Sequence, residues 1–533
     1  MFKTGTWRSA LPLYPQAPSP CHLACPVNGE IATWLGKARA GDWQGAWTTL
    51  VENNPFPAIA GRVCHHPCEA ACNRAAYDEP LAVCRLERFV GDQALAENWS
   101  YPPSPITKKE KIAIVGGGPS GLSAAYQLRR RGYAVTIFER SGELGGLLRS
   151  GIPPYRLPRS VLDGEIKRLL DLGIEVRTGV AIDTHGDFLR LREDFAAVYL
   201  AMGARRQKRL RALNYDDPRV MDSAAYLARS NAGSPPKLGE HVVVIGGGSA
   251  AMDVARSACR AGHDVTVLSL EREAQMPAQR DEVIEARQEG VIFFDGAQLE
   301  SVGATPRGAL LLKCQRVNFR LGASPGEFEV TPVADSEFVM AADAVICAIG
   351  QDPDLAPVQS LLETKGGVIG VNEYGATTLE GVFAGGDVAS GARFVTQAVG
   401  MGKKAALDID RWLQRKAGTR AESKAPVLRK AINTFYHPPA ARAAHERLAL
   451  SERLDDFTEV QLGFEEQTAL DEAARCFSCG HCTFCDNCFS YCPDMAVQKL
   501  PGAYRIAAEY CKGCGLCVRE CPTGSIAMQA EWK

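Results

Sequence analysis

Ten of the chain's 19 cysteines fall between Cys476 and Cys521. Eight of these form a unit that occurs twice. It reads Cys482-x-x-Cys485-x-x-Cys488-x₃-Cys492-Pro493, and again Cys511-x-x-Cys514-x-x-Cys517-x₃-Cys521-Pro522. Thiolates at this spacing hold two [4Fe–4S] clusters, and the fourth cysteine of each run reaches across to the other cluster. One cluster is therefore expected on Cys482, Cys485, Cys488 and Cys521, and a second on Cys492, Cys511, Cys514 and Cys517. Zinc also accepts four cysteines, but the duplication, with a proline after each fourth cysteine, argues against it. Six more cysteines lie between Cys21 and Cys84, in Cys21-x₃-Cys25-Pro26, Cys64-x₃-Cys68-x₃-Cys72 and Cys84. Cys259, Cys314 and Cys347 fall in predicted helix or strand and read as inert core residues.

A second chemistry lies between these cysteine clusters. Lys111–Val115 is a short β-branched run that reads as a buried parallel strand. Gly116, Gly118 and Gly121 follow as G-x-G-x-x-G, with Pro119 and Ser120 inside the turn. The first glycine permits the tight turn, the second lets backbone approach a pyrophosphate, and the third lets the next helix pack close. That helix, predicted over 122–130, offers its N-terminus to the anion. A second strand over 135–138 ends at Glu139, where a carboxylate accepts from a ribose hydroxyl. The architecture recurs at His241–Asp264, with Gly246, Gly248, Ser249, Ala250 and then Ala251 in the third glycine's place. Its second strand runs on to Ser269-Leu270-Glu271-Arg272.

Three or more domains are expected for 533 residues. A formal net charge of −2 suggests neither nucleic acid nor an anionic membrane surface. No apolar run approaches a membrane span, and the first twenty residues carry no apolar core of a secretory signal. Free thiols at metal-binding spacing imply a reducing compartment, the cytoplasm. Met1–Pro20 reads as an extended, Pro-rich arm. Ile31–Leu50 has helical periodicity, with Trp34, Trp43 and Trp47 as core residues. Asn98–Glu110 and Lys416–Pro426 read as linkers, and Ala431–Asp471 as charged and mostly helical.

The order C-x₃-C-P, N-P-F-P, G-R-V-C-x₃-C-x₃-C, D-E-P and L-E-R resembles the N-terminal iron–sulfur domain of the glutamate synthase small subunit and of dihydropyrimidine dehydrogenase. The resemblance covers roughly residues 20–410 and continues through the dinucleotide units. It implies that the first unit binds FAD and the second, nested inside it, NAD(P)H. Gly146 and Arg156, in G-G-L-L-R-S-G-I-P-P-Y-R-L-P, match a segment near the flavin. Gly386 and Asp387, in F-A-G-G-D, match the residues at the FAD ribityl chain; a helix-capping role for Asp387 is also open, before a helix expected over Arg393–Ala406. The family's two N-terminal [4Fe–4S] clusters carry over to Cys25, Cys64, Cys68 and the oxygen ligand Glu87, with Cys84 competing for Glu87's place, and to Cys21 and Cys72. In the family an R-C-x-x-C upstream completes the second set. No cysteine precedes Cys21, but Glu472-Ala-Ala-Arg475-Cys476-Phe-Ser-Cys479 looks like that piece displaced to the far end of the chain. Cys476 and Cys479 are expected to complete that cluster; the alternative is that they are spare thiols of the next module.

NADP-linked relatives carry an Arg-Arg doublet where Leu270 and Glu271 stand, so NAD(H) is expected over NADP(H). The fold class expected is multidomain α+β and α/β: a helical iron–sulfur domain (1–105), an FAD-binding domain in two parts (106–232 and 351–415), a nested Rossmann-like NAD(H)-binding domain (233–350), wrapping helices (416–475) and a ferredoxin fold with two [4Fe–4S] clusters (476–533). No residues for separate substrate catalysis stand out, so FAD and four clusters carry the chemistry. The reading is an electron-transfer flavoprotein subunit. Ferredoxin tails of this kind resemble those that exchange electrons with thiamine-diphosphate 2-oxoacid oxidoreductases. The expected partner is therefore such a core, acting on a 2-oxoacid or an aryl 2-oxoacid. A glutamate synthase large subunit, or a free ferredoxin, is the alternative.

Overall fold

The computed structural model describes residues 3–304, 308–322, 327–391, 393–415 and 424–531. Residues 416–423 of the expected linker lie outside them. Two compact units form. One comprises Met1–Tyr101, Ala417–His445 and Gly463–Lys533, the other Pro102–Lys416 and Glu446–Leu462.

The second unit is built on two five-stranded parallel sheets. One has the order Val382–Ala384, Ala197–Leu200, Lys111–Val115, Ala134–Phe138, Glu175–Arg177. The other has the order Ile292–Phe294, Asp264–Leu268, His241–Ile245, Ala344–Cys347, Val220–Asp222. The second sheet lies in sequence between Ala197–Leu200 and Val382–Ala384 of the first, so one dinucleotide fold is inserted in the other. Their central strands are buried on both faces, which is why they read as unbroken apolar runs. A three-stranded antiparallel sheet, Ala297–Ala304, Leu310–Leu321 and Phe328–Ala342, is attached to the nested fold. Cys314 and Cys347 are buried there among aliphatic side chains, and Cys259 is half-buried at the end of its helix.

The long helix Val395–Leu413 returns across the helix Pro119–Arg129 of the first glycine turn. Their approach is close because Gly402 has no side chain: a Cβ there would fall on the Ser120 carbonyl oxygen.

The first unit has a helical half and a half built on two short hairpin-like pairings. Ile31–Leu50 is two helices, Ile31–Arg39 and Trp43–Val51, because Gly41 takes a left-handed turn and Asp42 caps the second helix through Gly45 N–H (2.9 Å). Trp34 and Trp47 are buried. Trp43 is half-exposed, packs edge-on to Phe89 and donates Nε1–H to Glu466 (2.9 Å). In the other half Val497–Leu500 pairs with Ala503–Ile506, and the N-terminal strand Ala10–Leu13 pairs with Ala527–Ala530. The expected arm is thus a structural strand that closes the far end of the chain.

Ala431–Asp471 is not mostly helical. Apart from short 3₁₀ turns it is irregular, and only Glu466–Ala474 is α-helix. Its alanines and arginines favour helix in isolation, but its backbone N–H groups bond elsewhere. Ala440 N–H goes to Asp78, Arg442 N–H to Glu79 and Ala443 N–H to Glu472. Tertiary contacts override propensity here. Nor does 416–475 stand apart: residues 446–462 belong to the second unit and the flanking parts to the first. Within the second unit, Arg447 pairs with Glu285 (3.0 Å) and Val460 N–H donates to Tyr155 O (3.0 Å).

The crossing of the two helices makes a stability prediction. Gly402→Ala forces a Cβ onto backbone and is expected to destabilise the second unit by about 1–3 kcal/mol. The check is the temperature of flavin release followed by fluorescence; an unchanged temperature contradicts the close approach.

Candidate redox centres

The first glycine turn is a cradle. Gly116 has φ +109°, which L-residues rarely adopt, and the helix begins at Pro119 with Gly118 at its N-cap. Nothing lies within 4 Å of where a Gly118 Cβ would be, so this face is open to a pyrophosphate. Glu139, at the end of the second strand, accepts from Gly117 N–H at 2.7 Å. Gly145 N–H donates to Gly117 O (2.9 Å), which seats Gly146 against Gly118. The F-A-G-G-D strand end arrives beside the same turn: a Cβ on Gly386 would lie 2.9 Å from Ser120 Cβ. Asp387 sits in the 3₁₀ turn Gly386–Val388 and does not cap the following helix, which starts at Val395. Burial raises its carboxyl above the usual range, with Arg393 holding it down. Arg156 is placed differently from the expectation. Its guanidinium is engaged by Asp253 (2.8 and 2.7 Å) and Glu282 (2.5 Å), so it ties the G-I-P-P-Y-R-L-P loop to the nested fold.

The second turn repeats the first. Gly246 has φ +136°, Gly248 is the N-cap of the helix Ser249–Arg260, and its Cβ position is again open. Ser249 and Ala250 open that helix, and Ala251 is fully buried beneath it. Glu271 comes to the place Glu139 holds in the first unit: a Gly247 Cβ would lie 2.7 Å from Glu271 Oε2. Burial raises the Glu271 carboxyl. Arg272 faces Asp295 (3.7 Å) and Gly296.

All sixteen predicted ligands lie in the first unit. Cys21, Cys72, Cys476 and Cys479 line one pocket. Cys482, Cys485, Cys488 and Cys521 line a second. Cys492, Cys511, Cys514 and Cys517 line a third. Cys68 is buried with Cys25, Cys64, Glu69 and Glu87 as its charged neighbours, and burial, then these groups, push its thiol up. Glu87 is buried and its carboxyl is pushed up to about 7, although it accepts from Asn54 Nδ2 (2.7 Å). Cys84 is buried against the Ala60 and Gly61 carbonyls (3.6 and 3.4 Å). Asn54 was already visible in the N-P-F-P motif, but only folding shows that it holds Glu87.

The donor sets suit cubane clusters. Among the described residues no three cysteine sulfurs lie within 4.8 Å of one another. A tetrahedral zinc would hold its sulfurs only about 4 Å apart, whereas a cubane spreads four thiolates over four separate irons. Burial pushes Cys476 up to about 11 and Cys479 up to about 12; a coordinating metal deprotonates such thiols outright. Cys521 is the exception. Burial raises it, but hydroxyl and N–H donors from Ser525 and Thr523 bring it below its ordinary value.

The Cys476–Cys479 loop is held by buried charge. Arg475 donates to Glu472 (2.7 Å) and to Glu79 O (2.8 Å), and pairs with Asp78 (3.4 Å). Arg74 grips Asp78 (2.9 and 2.6 Å) and bonds the Arg475 carbonyl. Glu472 also accepts from Ala82 N–H (2.8 Å). Asn73 Nδ2 reaches Cys479 Sγ at 3.4 Å. Apart from Glu472, these partners lie in and around the D-E-P segment; the motifs are visible in the sequence, but the contacts between them are not.

Nested dinucleotide folds joined in one chain to cluster-bearing cysteine sets define an iron–sulfur flavoprotein oxidoreductase. The chain belongs to the pyridine nucleotide-disulphide oxidoreductase family, which matches residues 110–402. Residues 16–99 match dihydropyrimidine dehydrogenase domain II, 4Fe-4S cluster, and residues 504–527 the 4Fe-4S binding domain. The chain is 34% identical over 503 residues to the NADP(+)-dependent formate dehydrogenase subunit beta of Moorella thermoacetica, spanning 87% of this chain and 71% of that one. It is 32% identical over 504 residues to the NADPH-Fe(3+) oxidoreductase subunit beta of Geobacter sulfurreducens, spanning 86% and 75%. To the glutamate synthase [NADPH] small chain of Azospirillum brasilense it is 31% identical over 422 residues, spanning 74% and 87%. In fold it is similar to Mycobacterium tuberculosis FprA in complex with NADPH, at a TM-score of 0.50 and 17% identity over 58% of this chain and 85% of that one. The protein is an FAD-dependent NAD(P)H oxidoreductase that transfers electrons through FAD and [4Fe–4S] clusters. Among the described residues no helix is long and apolar enough to cross a membrane.

Replacing Cys476 and Cys479 with alanine is expected to remove about four of roughly sixteen irons and leave flavin content unchanged. Iron and flavin assays on anaerobically purified protein check this; undiminished iron makes the two residues spare thiols.

Proposed function

We propose that this chain is the NAD(H)-facing subunit of a multi-subunit oxidoreductase, most specifically of a thiamine-diphosphate 2-oxoacid:acceptor complex in the cytoplasm. The observation that carries the electron-transfer reading is the joining of two nested dinucleotide turns and four cysteine sets in one polypeptide; the duplicated ferredoxin cysteine unit is what favours a 2-oxoacid partner. When bound, FAD exchanges electron pairs with a nicotinamide and single electrons with iron–sulfur clusters. Gly116, Gly118, Pro119, Ser120, Gly121 and Gly146 hold its pyrophosphate side, Glu139 its ribose and Gly386–Asp387 its ribityl chain. Arg156 keeps the adjoining loop in place through Asp253 and Glu282. Four clusters are held by Cys25, Cys64, Cys68 and Glu87; by Cys21, Cys72, Cys476 and Cys479; and by the two crossed ferredoxin sets. Cys84, whose thiol faces helix carbonyls, is a packing residue.

Gly246, Gly248, Ser249, Ala250 and Ala251 take the nicotinamide dinucleotide. The Glu271 carboxylate beside Gly247 accepts from a ribose 2′-hydroxyl and repels a 2′-phosphate. Arg272, drawn to Asp295, does not offset that repulsion. The prediction is a lower KM for NADH than for NADPH, although all three of the similar proteins named above carry NADP or NADPH in their names. Leu270→Arg with Glu271→Arg should lower the KM for NADPH at least tenfold. A lower KM for NADPH in the unaltered protein contradicts the reading.

The partner is tested by native anaerobic purification. A co-purifying thiamine-binding chain supports the 2-oxoacid complex. A large glutaminase-bearing chain would instead make this a glutamate synthase small subunit, which the similarity to the Azospirillum brasilense chain favours as the second reading. Failure of NADH to reduce a viologen dye would overturn both.

A further inference from the structure

The two ferredoxin cysteine sets are near copies in sequence but not in their hydrogen bonding. Each has one exposed ligand, Cys485 in the first and Cys514 in the second, so solvent exposure does not separate them. Side-chain hydroxyls do. Tyr14 donates its O–H to Cys488 Sγ at 3.5 Å, and Thr523 and Ser525 hydroxyls lie 3.6 and 3.3 Å from Cys521 Sγ. Three hydroxyls thus reach two ligands of one set. Among the described residues no side-chain hydroxyl bonds Cys492, Cys511, Cys514 or Cys517; Cys492 accepts the Ala496 N–H at 3.2 Å.

Tyr14 is held firmly. The strand before it pairs with Ala527–Ala530, and its ring stacks on Tyr504 (6.5 Å, 18°). Tyr504 is itself anchored by Asp486 (2.6 Å). Cations near the other set are already neutralised: Arg8, 3.3 Å from the Cys511 carbonyl, pairs with Glu531 (2.9 Å), and Lys512 pairs with Asp494 (3.0 Å). Near the first set Asp486 is likewise paired, with Lys499 (2.7 Å). Net local charge therefore does not cancel the hydroxyl asymmetry.

Donors on ligand sulfurs stabilise the extra negative charge of a reduced cluster and raise its potential. We propose that the N-terminal arm, through Tyr14, and the Thr523–Ser525 turn make the Cys482/Cys485/Cys488/Cys521 cluster the higher-potential member of the ferredoxin pair. This rests on the reading that both sets carry [4Fe–4S] clusters. An electron shared between the two then dwells on the cluster that follows Cys479 by three residues, where Gly480 N–H bonds Thr523 O (2.8 Å). The other cluster is the lower-potential member of the pair. Tyr14 is a positioning residue for charge and carries no chemistry of its own.

The test is an EPR-monitored redox titration of the full-length, anaerobically purified protein, beside Tyr14→Phe and a Thr523→Val/Ser525→Ala variant. Both variants should shift the same one-electron step to lower potential, by at least threefold in its equilibrium constant, or about 28 mV at 59 mV per tenfold. The remaining steps and the iron content should not change. Full iron with no step moved, or different steps moved by the two variants, overturns the proposal. Loss of about four irons in Tyr14→Phe makes the contact structural and overturns it too. Unaltered protein lacking iron for these two sets would sink the cluster reading itself, a separate outcome.

Discussion

Four ligands must converge on a cubane from all sides, and no short stretch of chain can supply them for the Cys21 and Cys72 set. The pair proposed to complete it, Cys476 and Cys479, comes from the far end of the sequence, and buried charge brings it into the same pocket. Arg74, Asp78, Glu472 and Arg475 are each nearly or largely removed from water. Desolvating such groups costs more than their attraction returns unless every partner is in place. Their interlocking is therefore a device of specificity more than of stability. The docking of the Cys476–Cys479 loop satisfies both guanidiniums, the Glu79 and Arg475 carbonyls and the Ala82 N–H together. The cavity lined by the four cysteines depends on that fit.

In the other unit, geometry is set by backbone approach. Both glycine turns place a carboxylate beside the middle glycine, though Glu139 follows its strand directly and Glu271 comes three residues after Leu268. The two folds are fastened to each other by charge as well. Arg156 joins Asp253 and Glu282, and Tyr155 covers the Arg256 and Arg260 guanidiniums at 4.6 and 3.9 Å. The strap 446–462 lies on the same cluster through Arg447 and Phe457.

Much of this was legible in the residues. Strand–turn–helix units announce themselves through β-branched runs and glycines whose φ is positive, and cysteine spacing is dictated by the size of the cluster. The grouping of the cysteines and the nesting of the two folds were therefore readable. What was not readable depends on long-range bonding. Ala431–Asp471 has helix-favouring composition, yet its N–H groups are taken by Asp78, Glu79 and Glu472. Arg156 sits in a flavin-like motif, yet faces carboxylates that lie about a hundred positions or more away, Asp253 and Glu282. Tyr14 lies in a Pro-rich arm whose composition gives no hint of a sulfur 474 positions further on.

The meeting of distant segments also sets a timetable for biosynthesis. Asn73 and Cys479, which bond in the finished protein, are 406 positions apart. At translation rates of about 5–20 residues per second, the early cysteines wait on the order of tens of seconds before their counterparts leave the ribosome. Assembly of the proposed centre on these four cysteines therefore waits until Cys479 has left the ribosome.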